Sequence, residues 1–259
     1  MKPIRIDLPK ELDVVELHAL SDWHLGDLNC DYKHIEAELE HIATTPNAYA
    51  ILAGDLCNNA TTASISDTYS ERISPMEQIS KVTQMLRPIK DKLLCATTGN
   101  HCERTYKQDG IDITRLICRE LGVEQNYRED FCFMFLSFGR KSRRASEGRK
   151  QTYTIYVNHG SRGGRKVGGK ANALSDLSCI CDADIFFVAH THSPIVFKDA
   201  FIRSTGCSGG IDLVERVFIN TAASLDYGGY SARQGYSPSS KSNPVAFLSG
   251  HERKIDVTI

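Results

Sequence analysis

The sequence predicts an α/β fold whose functional residues gather at the C-terminal ends of strands. Three observations lead there. Short apolar runs of strand length alternate with segments that carry apolar residues at helical spacing. Five of these runs empty directly into a polar block containing His, Asp or Asn. In open α/β sheets, sites collect beyond the carboxyl ends of the strands, so the five blocks are expected to share one rim. No internal repeat and no long linker divides the 259 residues, and one domain over 1–259 is expected.

Val14–Leu20 alternates like a strand entering a core and ends in Ser21-Asp22-Trp23-His24-Leu25-Gly26. Asp22 and His24 lie two apart, so on an extended backbone their side chains leave on one side. Trp23 between them is expected to pack beneath the site. Residues 31–44 form an amphipathic helix with Ile35, Leu39 and Ile42 inward. His34 and His41 also fall on it, away from the ligand-bearing turns, and are not expected among the ligands. Ala48–Ala53 is a buried strand running into Gly54-Asp55. A helix over 75–88 has Pro75 in its first turn, Ile79, Val82, Met85 and Leu86 inward, and Pro88 at its end.

Leu93–Thr97 is a strand that empties into Gly99-Asn100-His101, and a helix over about 112–121 is closed by Gly122. Phe131–Phe138 and Thr152–Val157 are strands around a polar tip, residues 139–151, with six basic residues and one acidic. The second strand ends in Asn158-His159-Gly160. A glycine-rich basic loop follows, then a short helix near 171–178 and the strand Asp184–Val188, which ends in His190-Thr191-His192. Short strands at about 195–203, 214–220, 244–249 and 253–258 complete the chain.

Composition narrows the function classes. The net charge of −1 supplies no global field for nucleic acid or membrane, so any attraction to phosphate must be local. No apolar run approaches the roughly 20 residues of a spanning helix, and the first residues lack the apolar core of a secretory signal. Nine scattered cysteines, most within apolar runs, are expected to be buried free thiols of a cytoplasmic protein. The Cys179-Ile180-Cys181 spacing is wrong for a zinc knuckle.

The blocks are Asp22-x-His24, Gly54-Asp55, Gly99-Asn100-His101, His159-Gly160 and His190-x-His192, and they use five of the nine histidines. Any one histidine beside a strand could be an ordinary structural residue, but five such blocks point to metal chemistry. Phosphoester hydrolysis needs a nucleophile at neutral pH and neutralisation of charge on the phosphoryl oxygens. Two divalent cations roughly 3.5–4 Å apart supply both, holding a bridging hydroxide. A carboxylate with two oxygens can bridge them; an imidazole cannot. Mixed N/O donors suit Mn²⁺, Fe and Zn²⁺ better than Mg²⁺, and Mn²⁺ is the first expectation.

These five blocks, in this order, resemble the calcineurin-like metallophosphoesterase superfamily, whose signature is D-x-H, G-D, G-N-H, H and G-H-x-H. The match covers residues 20–192, and the spacing is most similar to the compact, phage-type branch. The resemblance implies an α-β-β-α sandwich with mixed sheets. It implies one metal held by Asp22, His24, Asp55 and His192, and a second held by Asp55, Asn100, His159 and His190. Asp55 would bridge, and His101 would assist the leaving group as general acid or transition-state stabiliser. Three positions depart from the pattern. Ala189 replaces the glycine before the last H-x-H, and Cys102 the acidic residue after G-N-H. Asn58 stands where protein phosphatases carry an aspartate that orients the catalytic histidine.

The segment after Asp55 lacks the arginine of protein phosphatases and the tyrosine ligand of purple acid phosphatases. What remains resembles the phosphodiesterase and nuclease side of the family, acting on nucleic acid or nucleotides. A phosphomonoesterase is the alternative, and a non-catalytic metal-binding scaffold a third. Arg162, Arg165, Lys166 and Lys170 follow His159 among glycines and are candidates for a phosphate clamp; a solvated loop is the competing reading. Gly164-x4-Gly169-Lys170 brushes a P-loop pattern, but Ala171 lacks the hydroxyl that would hold Mg²⁺. Arg104 and Lys107 are second candidates for phosphate. The basic tip could track a nucleic-acid backbone, although a charged hairpin tip is usually just solvated, and the 227–236 tyrosines could stack bases, although turn packing explains them at least as well.

Overall fold

A computed structural model of the protein describes residues 2–62, 64, 68–140, 149–161, 164–204 and 209–259. Two six-stranded sheets face each other. The first, in spatial order, holds β1 (Ile4–Asp7), β6 (Phe131–Phe138), β7 (Gln151–Asn158), β8 (Ile185–Val188), β10 (Ile211–Asn220) and β9 (Ile195–Ser204). The second holds β12 (Ile255–Thr258), β11 (Val245–Ser249), β2 (Val14–Leu20), β3 (Ala48–Leu52), β4 (Leu93–Thr97) and β5 (Tyr127–Arg128). Both are mixed: β2, β3, β4 and β5 run parallel, as do β7, β8 and β10, while β6/β7, β9/β10 and β2/β11 are antiparallel.

Period-two alternation decides the layers. Val15, Leu17 and Ala19 of β2 point between the sheets, where they meet Met134, Leu136, Tyr153, Ile155 and Phe187 in one apolar cluster. Leu20, on the other face, packs with the outer helices α1 (Tyr32–Thr44), α2 (Pro75–Leu86) and α4 (Ile113–Glu120). A smaller cluster under α5 (Val167–Ser175) covers the far face of the first sheet. The arrangement is helix, sheet, sheet, helix. Among the described residues, no helix is long and apolar enough to cross a membrane.

Local signals account for most helix boundaries. Asp31 caps α1 by accepting from His34 N–H at 3.1 Å. Ser74 and Glu77 form a reciprocal capping box on α2, with Pro75 at its first position. Two helical regions differ from expectation. Residues Asn100–Asp109 form a helix, α3, in a polar stretch whose one buried residue is Cys102, too little apolar periodicity to read. The helix α5 begins at Val167, so Lys170 lies on a helix and not in the loop before it. Cys30, Cys57, Cys95, Cys102, Cys118 and Cys132 are buried and free, and burial pushes the Cys30 and Cys118 thiols up to about 12.

Where the sheets meet at the rim, the buried hydroxyls of Ser21 and Thr221 lie 2.7 Å apart. Ser21 follows β2 in one sheet and Thr221 follows β10 in the other, and Ser21 also donates to Asp22 Oδ2 at 3.0 Å. Thr221→Val keeps the shape and removes the bond. It is expected to lower unfolding free energy in urea by about 1–2 kcal/mol, with Thr221→Ser close to wild type.

Candidate metal centre

The rim residues sit on a backbone that side chains rarely adopt. Among the described residues, the non-glycine positions with positive φ are Asp22 (49°), His24 (45°), Asp55 (52°), Asn59 (47°), His190 (69°) and His192 (53°). Five of these six are expected ligands. Such conformations persist only where the surroundings over-determine them. Here Asp22 N–H donates to Gly54 O at 3.1 Å, His24 N–H to Asp55 O at 3.1 Å, and His190 N–H to Asp22 Oδ2 at 3.1 Å. The turns after β2, β3 and β8 are therefore bonded to one another.

The donor atoms converge in two neighbouring groups. In one, Asp22 Oδ1 lies 3.2 Å from His192 Nε2, which is 3.1 Å from His24 Nε2. In the other, His159 Nε2 lies 3.0 Å from Asp55 Oδ2 and 3.1 Å from Asn100 Oδ1, and Asn100 Oδ1 lies 2.8 Å from His190 Nδ1. Asp55 joins the groups: its carboxylate and the facing nitrogens of His24 and His101 also lie within 4.8 Å of one another. Asp22 Oδ1 is buried with no hydrogen-bond partner among the described residues. A buried, unpartnered carboxylate oxygen facing two imidazole nitrogens, with no thiolate nearby, is what a borderline or hard cation needs. The residues fit a metal ion.

His159 Nδ1–H donates to Ala53 O at 2.8 Å, which turns Nε2 toward Asp55 and Asn100. Burial opposes charge on this ring, but the adjoining Asp55 carboxylate outweighs it and holds the His159 pKa at about 10. Asp55 is driven well below the usual carboxylate range, against its burial, by the same His159. Asp55 also accepts the backbone N–H of His101 at 2.8 Å, and so caps the first turn of α3 from outside.

His101 differs from the other four. Burial and the neighbouring His24 push its pKa down to about 3, and its Nδ1 lies 2.8 Å from Asn58 O. The backbone carbonyl of Asn58 thus does the orienting work that an aspartate side chain would do, while the Asn58 amide donates to Glu71. Arg104, one turn along α3, is half-buried and directs Nη1 to the same carbonyl at 3.4 Å. Lys107 pairs with Glu103 at 2.7 Å on the exposed face.

The basic residues after His159 do not share one task. Arg162 and the tip residues 141–148 lie outside the described residues. Arg165 is exposed and its guanidinium lies 5.4 Å from the Tyr236 ring centre, with Tyr230 6.4 Å from Tyr236. Lys166 is the exposed N-cap of α5. Lys170 donates to Thr191 O at 2.9 Å and to Ser193 Oγ, and Asn220 donates to Thr191 Oγ1 at 2.8 Å and Ser193 O at 2.7 Å. These two side chains clamp the His190-Thr191-His192 turn. Asn220 is not singled out by the sequence, although it ends an apolar strand as the expected ligands do. Trp23 is buried in the apolar cluster between the second sheet and its helices.

A family-level comparison matches residues 18–220 to the calcineurin-like phosphoesterases. A comparison with curated proteins returns no significant match. Among solved structures, the chain is similar to a predicted phosphoesterase from Streptococcus pneumoniae (11% identity, 95% of this chain and 98% of that one, TM-score 0.36). It is also similar to the calcineurin-like phosphoesterase YfkN from Bacillus subtilis (13%, 94% and 90%, TM-score 0.40). A third is the nuclease MPE from Pseudomonas putida (11%, 93% and 87%, TM-score 0.37). Likenesses this distant say nothing of substrate.

Two glycines let the centre close. A Cβ on Gly99 would collide with the Asp55 carboxylate and lie 2.5 Å from its backbone nitrogen; one on Gly54 would meet His159 Nδ1 at 2.7 Å. By contrast, a Cβ on Gly168 in α5 meets nothing within 4 Å. Gly99→Ala is expected to destabilise by about 1–3 kcal/mol in denaturant and to lower the metal content of purified protein. Gly168→Ala is expected to stabilise by about 0.5–1 kcal/mol with metal content unchanged.

Proposed function

From the premise that the chain belongs to the calcineurin-like phosphoesterases and is a metal-dependent phosphoester hydrolase, we propose a two-metal phosphodiesterase acting on nucleic acid or nucleotides. The convergence of two donor groups on the Asp55 carboxylate carries this reading. One ion would be held by Asp22, His24, Asp55 and His192, and the other by Asp55, Asn100, His159 and His190, with Mn²⁺ the first candidate. When bound, such a pair supplies a nucleophile at neutral pH and neutralises charge developing on the phosphoryl oxygens.

The chain's own residues do the rest. With its Nδ1 proton on Asn58 O, His101 offers Nε2 as the atom that exchanges a proton. Burial holds the ring neutral at rest; a phosphate anion alongside favours its charged form, so Nε2 can take up a proton and deliver it to the leaving oxygen. Arg104, against the same carbonyl, brings a fixed cation to the phosphate oxygens. The diester preference rests on Arg165 lying over Tyr236 beside Tyr230. That segment begins just after Ser224, whose N–H donates to Asp22 O at 3.1 Å, so exposed aromatics and a guanidinium lead away from the centre. Such a strip can stack a base on the far side of the scissile phosphate.

The test compares bis-p-nitrophenyl phosphate with p-nitrophenyl phosphate, each with Mn²⁺. The diester is expected to be preferred. His101→Ala should lower kcat about 10²–10⁴-fold with metal content intact. Preference for the monoester would move the assignment to a phosphomonoesterase, and loss of an ion in His101→Ala would make His101 a ligand.

A further inference from the structure

Six residues before Asp22, the strand that leads to it carries a second acidic-x-His pair. Glu16 and His18 lie two apart on β2 and face outward, toward α1, while Leu17 between them enters the inter-sheet core. The neighbouring positions on β3 are Ala48 and Ala50, which leave room for the imidazole. From α1, Glu38 and His41, three apart and hence on one helix face, reach down to the same spot.

The atoms meet closely. Glu16 Oε1 lies 2.9 Å from His18 Nε2 and 2.6 Å from His41 Nε2. One ligand atom from each of Glu16, His18 and His41 falls within 4.8 Å of the others. The His18 side chain is 5% exposed, and its Nδ1 has no hydrogen-bond partner among the described residues. That nitrogen points at Glu38 Oε1, 3.6 Å away, which Asn243 Nδ2 bonds at 3.1 Å. A ligand imidazole backed at its other nitrogen by an anchored carboxylate is the usual outer arrangement of a metal site.

Charge points the same way. Two carboxylates and two imidazoles share this spot, and among the described residues no lysine or arginine pairs with Glu16 or Glu38. With both rings neutral the group carries two negative charges, which one divalent ion balances. The His41 side chain is 49% exposed and gives an ion a way in.

We propose that Glu16, His18 and His41 form an additional metal site, separate from the rim centre, which takes a zinc-class divalent ion with Glu38 backing His18. Two imidazoles and one carboxylate are a zinc donor set, and the fourth position faces solvent at His41. The ion ties α1 to the strand that delivers Asp22 and His24. An ion-free reading also exists: protons on the two rings would hold the cluster together as an ordinary polar network.

Equilibrium dialysis against Zn²⁺ followed by metal analysis separates the two. Wild type is expected to retain one ion per chain more than His41→Ala and Glu16→Gln, each shown to be folded by circular dichroism. Glu38→Gln should keep the ion with affinity about tenfold weaker. His41 is half-exposed, so its variant should fold; Glu16→Gln, which preserves volume, carries the same comparison if it does not. Equal ion counts in wild type and the folded variants overturn the proposal and leave the proton-held network.

Discussion

The buried carboxylate of Asp55 is the interaction on which the rest of the rim depends. It is 1% exposed, sits on a left-handed backbone at the end of β3, caps α3 through His101 N–H, and meets His159 from the opposite sheet. A charge so deeply buried is tolerable only if every neighbour answers it. The neighbours do: a helix N-terminus, an imidazole tethered through Ala53 O, and a glycine at 99 that leaves space for the oxygen. Remove the charge and α3 loses its cap, His159 loses its counter-ion, and the two sheets lose a contact at the point where they converge.

Around that carboxylate the protein keeps backbone strain that its core tolerates. Each left-handed non-glycine residue costs about 1–3 kcal/mol, and they cluster at the rim and nowhere else among the described residues. A sharp turn at the end of each strand is what swings alternating side chains round to face a common point. The bonds between turns, Asp22 to Gly54 and His24 to Asp55, hold that geometry before any ligand arrives. The clamp of Lys170 and Asn220 on the Thr191 turn does the same for the last two histidines.

Much of this was legible in the sequence, for a physical reason. Strands buried on both faces read as apolar runs, and the residue that ends such a run must lie at a sheet edge, so β2, β3, β4, β7 and β8 and their polar endings could be located within a residue or two. The helices α1 and α2 announced themselves through the spacing of Ile35, Leu39, Ile42, Ile79 and Val82, and α2 also through Pro75 in its first turn. What escaped was whatever depends on contacts distant along the chain. The helix α3 is too polar to show a face, and its cap is the side chain of Asp55, forty-six residues earlier. That a backbone carbonyl would orient His101 could not be read from the identity of Asn58. Nor could the meeting of Glu16 and His18 with His41, because the strand and helix motifs are weak separately and face each other only in the packed layer.

The partners at the rim are far apart along the chain, and this bears on how the molecule comes into being. His24 touches His192 across 168 positions, and Ser21 reaches Thr221 across 200. Such closures carry a large entropic penalty until the intervening strands are in place, which makes the topology slow to assemble. On the ribosome, Asp22 and His24 emerge long before the residues that complete their surroundings. The parallel core β2–β3–β4, stitched by local crossovers through α1 and α2, can form first; the other sheet must then dock before the rim exists at all. Chemistry is therefore withheld from the nascent chain until His192 and Thr221 have been made.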